Sequence, residues 1–526
     1  MNERLAAALR LLPDYLAQHV ILSLLAILLG IAIAAPLAVA CLRWRSLRWS
    51  LLTLTSIVQT VPGLALMALF YPALLALSAF IKPLTGWEIS ALGFTPALMA
   101  LTLYAILPVL RNAIIGIDGV DADVVQAARA CGMTEAQCFR LVQLPLAAPV
   151  ILAGIRTSAV WTIGSATLAT PVGQTSLGNF IFSGLQTQDW VSVLVGCVAA
   201  AGLAMLVDSC LALIEHGIAE RRRVRVLAGL AALLFGALAA MAATVTGAAS
   251  DKPRYVIAAK GFSEQYILAQ LLAQRLQASG AAVEVREGLG SAVIFQALAA
   301  GEIDLYVDYS GTLWTNVLAR KDSLPRARML DELSSHLQTR HGVRLAAQLG
   351  FENAYALMMT RGRAASLGIT SIDDLARHAS QLTLATDLEF LSRPEWSALR
   401  DAYRLQFSAE RSFASTFMYR ALAAGSADVI TGFSSDGRVE AGNLLVLADP
   451  KSAIPSYDAV LLFSPRRAAD LRLLNLARDL QGKISVDLMR RANFSVDRDA
   501  DKFSPARAAR DLSAAISARA APAVKP

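Results

Sequence analysis

Two patterns of apolar and polar positions divide this chain. From Leu51 to Ile117 only Lys82, Glu88 and Arg111 are charged, whereas beyond Lys252 charges recur every few residues. A helix crossing a bilayer needs ~20 apolar residues. Val20–Leu42 meets that length and is followed by Arg43, Arg45 and Arg48. Leu51–Ile81 is too long for one straight span, and Pro62-Gly63 and Pro72 predict kinks or a re-entrant turn. Phe94–Ile117 predicts a third span, Thr157–Val172 a short fourth and Val191–Ile214 a fifth. Val226–Val245, after "ERRRVR", predicts a sixth.

The second pattern is that of an α/β protein. "YVIAA" reads as a strand, Ser263 as a helix cap, and Ile267, Leu268, Leu271, Leu272 and Leu276 as one apolar helix face. "VEVRE" is a strand, Ala292–Ala300 a helix, and Ile303–Tyr309 a strand that stops at Tyr309-Ser310-Gly311. Such alternation predicts parallel sheets covered by helices, in two lobes. The expected fold class is therefore an N-terminal all-α polytopic membrane domain followed by a two-lobed α/β domain. The expected boundaries are 1–220 for the membrane domain, 221–252 for a basic anchor with the sixth span, and 253–526 for the aqueous domain. Ligands of open α/β sheets bind beyond the carboxyl ends of strands, and Tyr309 stands at such an end.

Composition agrees with the division: 55% of residues are hydrophobic and 17% charged. The net charge of +7 does not mark a nucleic-acid binder, because much of it sits in arginine clusters beside apolar runs and no aromatic-basic interleaving occurs. Placed in the cytoplasm, Arg43–Arg48, the polar segment Gly116–Leu146 and Arg221–Arg225 agree on one topology, in which the aqueous domain is carried outside. The sixth span has two readings, an uncleaved tether or a cleaved signal-like segment with an A-x-A-like end, and both stay open here. All five cysteines precede Lys252, so no disulfide framework braces the aqueous domain, and neither they nor the five scattered histidines have metal-ligand spacing. No metal or other cofactor is implied. Asp208 reads as a carboxylate near the inner end of its span, at the interface.

Asp121–Pro149, "DADVVQAARACGMTEAQCFRLVQLPLAAP", joins a small-residue helix, a glycine and a second helix ending in Leu144-Pro145. It resembles the coupling loop of ABC importer permeases: Gln126, Ala127, Ala128, Gly132, Leu144 and Pro145 fill the family's places, with Gln126 where glutamate is usual. The resemblance implies a type I ABC permease whose loop docks on an ATPase. No G-x-x-x-x-G-K-[ST] phosphate loop occurs, so ATP would be used by a partner subunit, and the chain itself is expected not to be an enzyme.

From Arg254 to Phe503 the sequence resembles the substrate-binding proteins of glycine betaine/carnitine/choline ABC importers, the osmoprotectant type. The segments that carry this are "AAKGFSEQYILAQLLAQRL", "LYVDYSGT", "FENAYAL", "FLSRPEW", "VITGFSSDGRV" and "PSYDAVLL", with Asp308 and Ser310 as mild departures. A permease fused ahead of such a protein is a recognised arrangement in this group, including transporters of ergothioneine. The resemblance implies a type II periplasmic-binding-protein fold and an aromatic box of Tyr309, Tyr355, Phe433 and Tyr457. Thr312 would lie beside the box, and Lys260 and Arg393 would hold an anion. Phe433 stands where tyrosine is usual, keeping the π face and losing a hydroxyl. It also implies an ABC ATPase partner, a betaine-like solute and a bacterial cytoplasmic (inner) membrane location. Five core spans make half a transporter, which predicts a permease homodimer surrounded by membrane lipid.

The chemistry stands beside the resemblance. A quaternary ammonium has no N–H to donate and spreads its charge over methyl groups, so aromatic faces suit it at ~0.5–2 kcal/mol each. Three or four faces could support micromolar binding, roughly −8 kcal/mol. A carboxylate at the other end would call for a forked Arg and a point-charge Lys. Taken singly, each residue has a duller role: strand-end packing for a tyrosine, a surface charge for Lys260 or Arg393. Two other functions compete. A membrane-tethered solute sensor would need an output module, and none appears; a membrane-anchored enzyme would need a nucleophile-base or metal constellation, also missing from the sequence.

Overall fold

The computed structural model describes residues 3–86, 89–187, 189–248, 253–320, 322, 324–387, 390–413, 415–498 and 501–520. The chain divides into two compact units, an all-helical one over Met1–Asp251 and an α/β one that takes up nearly all of Lys252–Pro526.

In the helical unit α1 runs Glu3–Arg43, α2 Arg45–Thr60, α3 Gly63–Thr85 and α4 Phe94–Asp118. The short α5 (Ala122–Ala130) and α6 (Glu135–Gln137) lead into α7 (Leu144–Ala166), α8 (Gly178–Gln186), α9 (Trp190–Ala219) and α10 (Arg223–Ala248). Among the described residues, six helical stretches are long and apolar enough to cross a membrane. The run Leu51–Ile81 resolves into two helices. Val61 is extended (φ −69°, ψ 129°) because the following Pro62 disfavours helical backbone before it. Pro72, by contrast, sits inside α3 without ending it. The fourth span begins earlier than the apolar run from Thr157 suggests: α7 starts at Leu144, continuous with the turn before it, and runs through Pro149 in its interior. The A-x-A-like stretch after α10 runs into residues 249–252, which lie outside the described residues.

Without a hydrophobic drive between them, membrane helices pack through small side chains and polar contacts. A Cβ at Gly30 of α1 would lie 2.6 Å from the Ala105 Cβ of α4, so only glycine permits this approach. Arg156 of α7 ties α7 to α9: its guanidinium forks onto both Asp208 oxygens at 2.9 Å and reaches Glu215 at 2.8 Å. Asp208, near the inner end of its span, is thus one corner of a charged triad that joins α7 to α9.

The α/β unit consists of two five-stranded sheets with strand orders β2-β1-β3-β10-β4 and β7-β6-β8-β5-β9. The first lobe supplies β1 (Arg254–Lys260), α11 (Ser263–Ala278), β2 (Ala282–Leu289), α12 (Ser291–Ala300), β3 (Leu305–Tyr309), α13 (Ser310–Asn316), α14 (Arg326–His341) and β4 (Arg344–Glu352). The chain then crosses to the second lobe with β5 (Tyr355–Thr360), α15 (Arg361–Leu367), α16 (Ile372–Ala376), β6 (Thr383–Thr386), α17 (Pro394–Tyr403), β7 (Ala409–Ser412), α18 (Ser415–Ala423), β8 (Val429–Phe433), α19 (Arg438–Ala441) and β9 (Leu444–Val446). It returns as β10 (Asp458–Phe463), followed by α20 (Leu471–Leu480), α21 (Val486–Asp497) and α22 (Pro505–Ala520).

The sheets are mixed, not all parallel. β1 pairs with β3, and β6 with β7 and β8, in parallel. β10 runs antiparallel to β3 and β4, and β5 antiparallel to β8 and β9. The reversals belong to strands that begin where the chain passes between lobes, so β5 and β10 start at the edge where their neighbours end. Ser263 is not the cap of α11. Phe262 takes that place in extended conformation (φ −154°, ψ 159°), and the Ser263 hydroxyl donates to Asp497 Oδ1 at 2.5 Å.

The buried Asp497 carboxyl carries a pH dependence, against which the Ser263 bond acts. Burial pushes the Asp497 carboxyl up to about 6, the positive Arg438 pulling it down and the negative Asp436 raising it further. The folded chain therefore holds a proton that the unfolded chain, with its usual carboxylate near 3.8, has already released. Stability from this group is greatest at low pH and falls as pH rises toward about 6. Asp497→Asn should be more stable than the parent at pH 7.5, with the difference shrinking by pH 4.5. Thermal midpoints of the two full-length proteins across that range check it, and a difference independent of pH would refute the account.

Candidate solute site and coupling surface

The predicted ring residues come to one place because of strand direction. Lys260, Tyr309 and Phe433 end β1, β3 and β8, while Tyr355 begins β5 and Tyr457 immediately precedes β10. The carboxyl ends of one set and the amino ends of the other meet between the lobes.

Tyr355 is the centre. It pairs in register with Phe433 across β5 and β8, and the two ring centroids lie 4.8 Å apart. Tyr457 approaches edge-on at 6.3 Å and Phe390 tilted at 5.0 Å. The Arg393 guanidinium lies 5.2 Å over the Tyr355 ring. Tyr309 stands one step away. Its ring stacks on Phe262 at 6.2 Å and carries the Lys260 ammonium at 5.8 Å. It is joined to Tyr457 through the turn, where the Ser310 hydroxyl donates to the Ser456 carbonyl and accepts from Asp458 N–H, both at 2.9 Å. A Cβ at Gly311 would stand 2.7 Å from the Tyr457 ring, so the glycine admits that ring. Thr312 lies in the first turn of α13, half-buried.

Both predicted cations are accompanied by carboxylates. The Lys260 ammonium is buried against Asp308, whose other oxygen accepts from the Tyr306 hydroxyl at 2.7 Å. Arg393 forks onto Glu395 at 3.1 Å and donates to the Tyr457 hydroxyl at 3.4 Å. Tyr457 in turn donates to Glu395. Burial alone would raise the Glu395 carboxyl; the hydrogen bonds from Arg393 and Tyr457 outweigh it and hold it below its usual range. Lys260 is thereby committed to the β1–β3 pair, whereas Arg393 lies on the ring cluster itself.

Behind Tyr309 sits a buried carboxylate that the sequence did not single out. Glu264 Oε1 accepts from the Tyr309 hydroxyl at 2.5 Å and from Asn353 at 3.0 Å, and Oε2 accepts from Asn493 at 2.8 Å. Burial raises its carboxyl despite these donors, and burial with the neighbouring Glu264 raises the Tyr309 phenol well above its ordinary value. Glu264 closes the Lys-x-Phe-x-Glu segment that carries part of the resemblance, but as an acid in a helix's first turn it was not named as a site residue. Phe262, Phe390 and Glu395 were also missed as site residues, although all three lie inside the segments "KGFSEQ" and "FLSRPEW".

The second surface belongs to the helical unit. Asp121 caps α5, accepting from Asp123 N–H at 2.8 Å. Gly132 turns the chain at φ +83°, which glycine alone adopts freely. Thr134 and Gln137 form a capping box, and a π-helical turn, Cys138–Gln143, delivers the chain to Leu144-Pro145. Gln126 and Ala127 are exposed and Ala128 is buried. Leu141 (65%), Leu144 (40%) and Leu146 (56%) leave apolar surface uncovered beside them.

Comparison with known proteins assigns both halves. A model of the inner membrane component of binding-protein-dependent transport systems matches residues 26–225, and one of the substrate-binding domain of ABC-type glycine betaine transport systems matches 253–514. The choline transport system permease protein of Bacillus subtilis (strain 168) is 39% identical over 199 residues, 38% of this chain and 84% of that one. This chain is a permease and binding protein of the ABC importer family, fused in one polypeptide. The glycine betaine/carnitine/choline transport system permease protein of the same organism is 38% identical to the importer over 204 residues, 39% of this chain and 87% of that one. The fusion itself has a counterpart: the ergothioneine transport permease/ergothioneine binding protein of Helicobacter pylori (strain G27) is 27% identical over 461 residues, 85% of this chain and 80% of that one. The two-sheet unit is the importer's binding domain, and α1–α10 form its multi-pass membrane part.

Proposed function

We propose that the importer takes up quaternary-ammonium solutes bearing a carboxylate, such as glycine betaine, carnitine or ergothioneine. The observation that carries this is the convergence of Phe433, Tyr457 and Phe390 on Tyr355, each ring centroid within 6.3 Å of the Tyr355 ring, with the Arg393 guanidinium 5.2 Å over that central ring. Aromatic faces accept a methylated cation through their quadrupole and carbon surface, and Arg393, exchanging part of its bond to Glu395, takes the carboxylate. Tyr309, Thr312 and Lys260 flank this core, Lys260 through Asp308. The relatives named for choline, carnitine, glycine betaine and ergothioneine support the solute class.

The remaining parts follow from the same reading. The arginine clusters support a binding domain on the outer side of a bacterial cytoplasmic membrane. Two copies of the permease unit form the pathway, and a separate ABC ATPase subunit docks on residues 121–149, where Gln126, Ala127 and the uncovered leucines form its footing. Titration calorimetry on the full-length, detergent-solubilised protein against glycine betaine, carnitine, choline and ergothioneine tests the solute. Micromolar binding of at least one carboxylate-bearing member is expected. Heat from none would refute the assignment and leave importers of other small zwitterions. Solute-stimulated ATP hydrolysis after reconstitution with the ATPase tests transport against mere sensing.

A further inference from the structure

Within the permease unit, α2 and α4 border a cavity of about 630 Å³ whose lining includes Arg48, Trp49, Thr53, Ser56, Thr60 and Arg111. The α2 positions recur at helical spacing, so one stripe of α2 presents an indole and three hydroxyls along the same side. Of the two cations, Arg48 is neutralised by Asp118 at the end of α4. Arg111 is not: among the described residues it has no ion pair and no hydrogen bond. It is seven residues before the end of α4, about 10 Å along the axis. An arginine inside a span costs ~2.5–3.5 kcal/mol at the centre and faces protein or a water-filled cavity. Here it faces the cavity.

That cavity is chemically two-ended. Trp49, 73% exposed, offers the strongest aromatic face for a methylated cation. Arg111 offers a fork for a carboxylate, and the threonine and serine hydroxyls suit the hydrated path between. The volume falls within the roughly 300–1,000 Å³ range of small-molecule sites. We propose that this is a second, transient solute site in the membrane. Arg111 takes the carboxylate and Trp49 the quaternary ammonium of the solute released by the binding domain. With one aromatic face against the several of the outer site, it binds more weakly, so solute passes through without being trapped. Arg111 also selects: a carboxylate-bearing solute gains from it, and choline, a bare cation, is repelled. This inference rests on the solute class proposed above.

The test is uptake by the full-length protein with its ATPase partner in proteoliposomes, measuring glycine betaine and choline side by side. Arg111→Gln should lower the glycine betaine to choline uptake ratio at least tenfold, a readout independent of how much protein is folded. If Arg111→Gln yields no folded protein, Arg111→Lys takes its place, keeping the charge but losing the fork, with a fall of about threefold. Trp49→Leu should lower uptake of both solutes. An unchanged ratio in the arginine variant, with uptake and calorimetric binding intact in the parent, overturns the second site while leaving the solute class standing. A parent protein that neither binds nor carries either solute overturns both.

Discussion

Tyr355→Ala is expected to weaken binding of the cognate solute by about 100-fold, the largest effect of any single ring. Its side chain touches three other rings and lies under the Arg393 guanidinium. Truncation removes one cation-binding face, worth ~0.5–2 kcal/mol, and several aromatic pairs, each worth ~0.5–1.5 kcal/mol. It also takes away a wall against which Phe433 and Tyr457 are held. Because the residue is buried, the same change costs about 3–5 kcal/mol of fold stability through the cavity it leaves. Tyr355→Phe, which keeps the face, separates the two effects and should bind within about threefold of the parent. Calorimetry on both variants, each checked by its thermal midpoint, decides the matter. A folded Tyr355→Ala protein with parental affinity would mean that the solute sits elsewhere.

In the membrane unit, Arg156→Met should be the most disruptive substitution. Arg156 neutralises Asp208 and Glu215 together, from α7 to two turns of α9, and all three side chains are at most about a third exposed. Removing the guanidinium strands two like charges in a poorly solvated place. Deleting one partner of so partly covered a triad costs more than the ~0–1 kcal/mol of a surface pair and less than the ~3–5 kcal/mol of a fully buried one. Replacing the whole triad with apolar residues is a different experiment. Arg156→Met with Asp208→Leu and Glu215→Leu should recover most of the loss, since no charge remains unpaired. Midpoints of detergent-solubilised protein, or yields from the membrane, report both. Recovery in the triple variant together with failure in the single one identifies the triad as an electrostatic tie; equal failure of both would mean that α7 and α9 need those side chains for shape.

Much of the architecture was legible because each solvent imposes its own pattern. Lipid requires long apolar runs, and six were visible; the aqueous half alternates short apolar strands with amphipathic helices, and β1, β2 and β3 lie close to where that pattern placed them. The errors are equally physical. Pro62-Gly63 and Pro72 alike point to a kink or re-entrant turn, and at Pro72 the helix continues through. At Pro62 the same residue does stop a helix, through its effect on Val61. Ser263 had the chemistry of a cap, but its hydroxyl serves Asp497, 234 positions away, which no local pattern could reveal. Of the four rings the resemblance groups together, Phe433 and Tyr457 meet at Tyr355 and Tyr309 stands a step away against Phe262, while the contacts of Glu264, Glu395 and Asp308 did not show. A carboxylate's role there depends on which hydroxyl, amide or guanidinium is brought to it by another strand, and that is information held only by the fold.

The passage from β4 to β5 runs through Asn353 and Ala354, and the return into β10 through Tyr457. Asn353 holds Glu264, and Tyr457 touches the central ring. The links between the two lobes are thus built from side chains of the proposed solute site. If the lobes open about these links, a variant tuned for tighter capture should also open more slowly, and delivery to the membrane would be throttled in proportion.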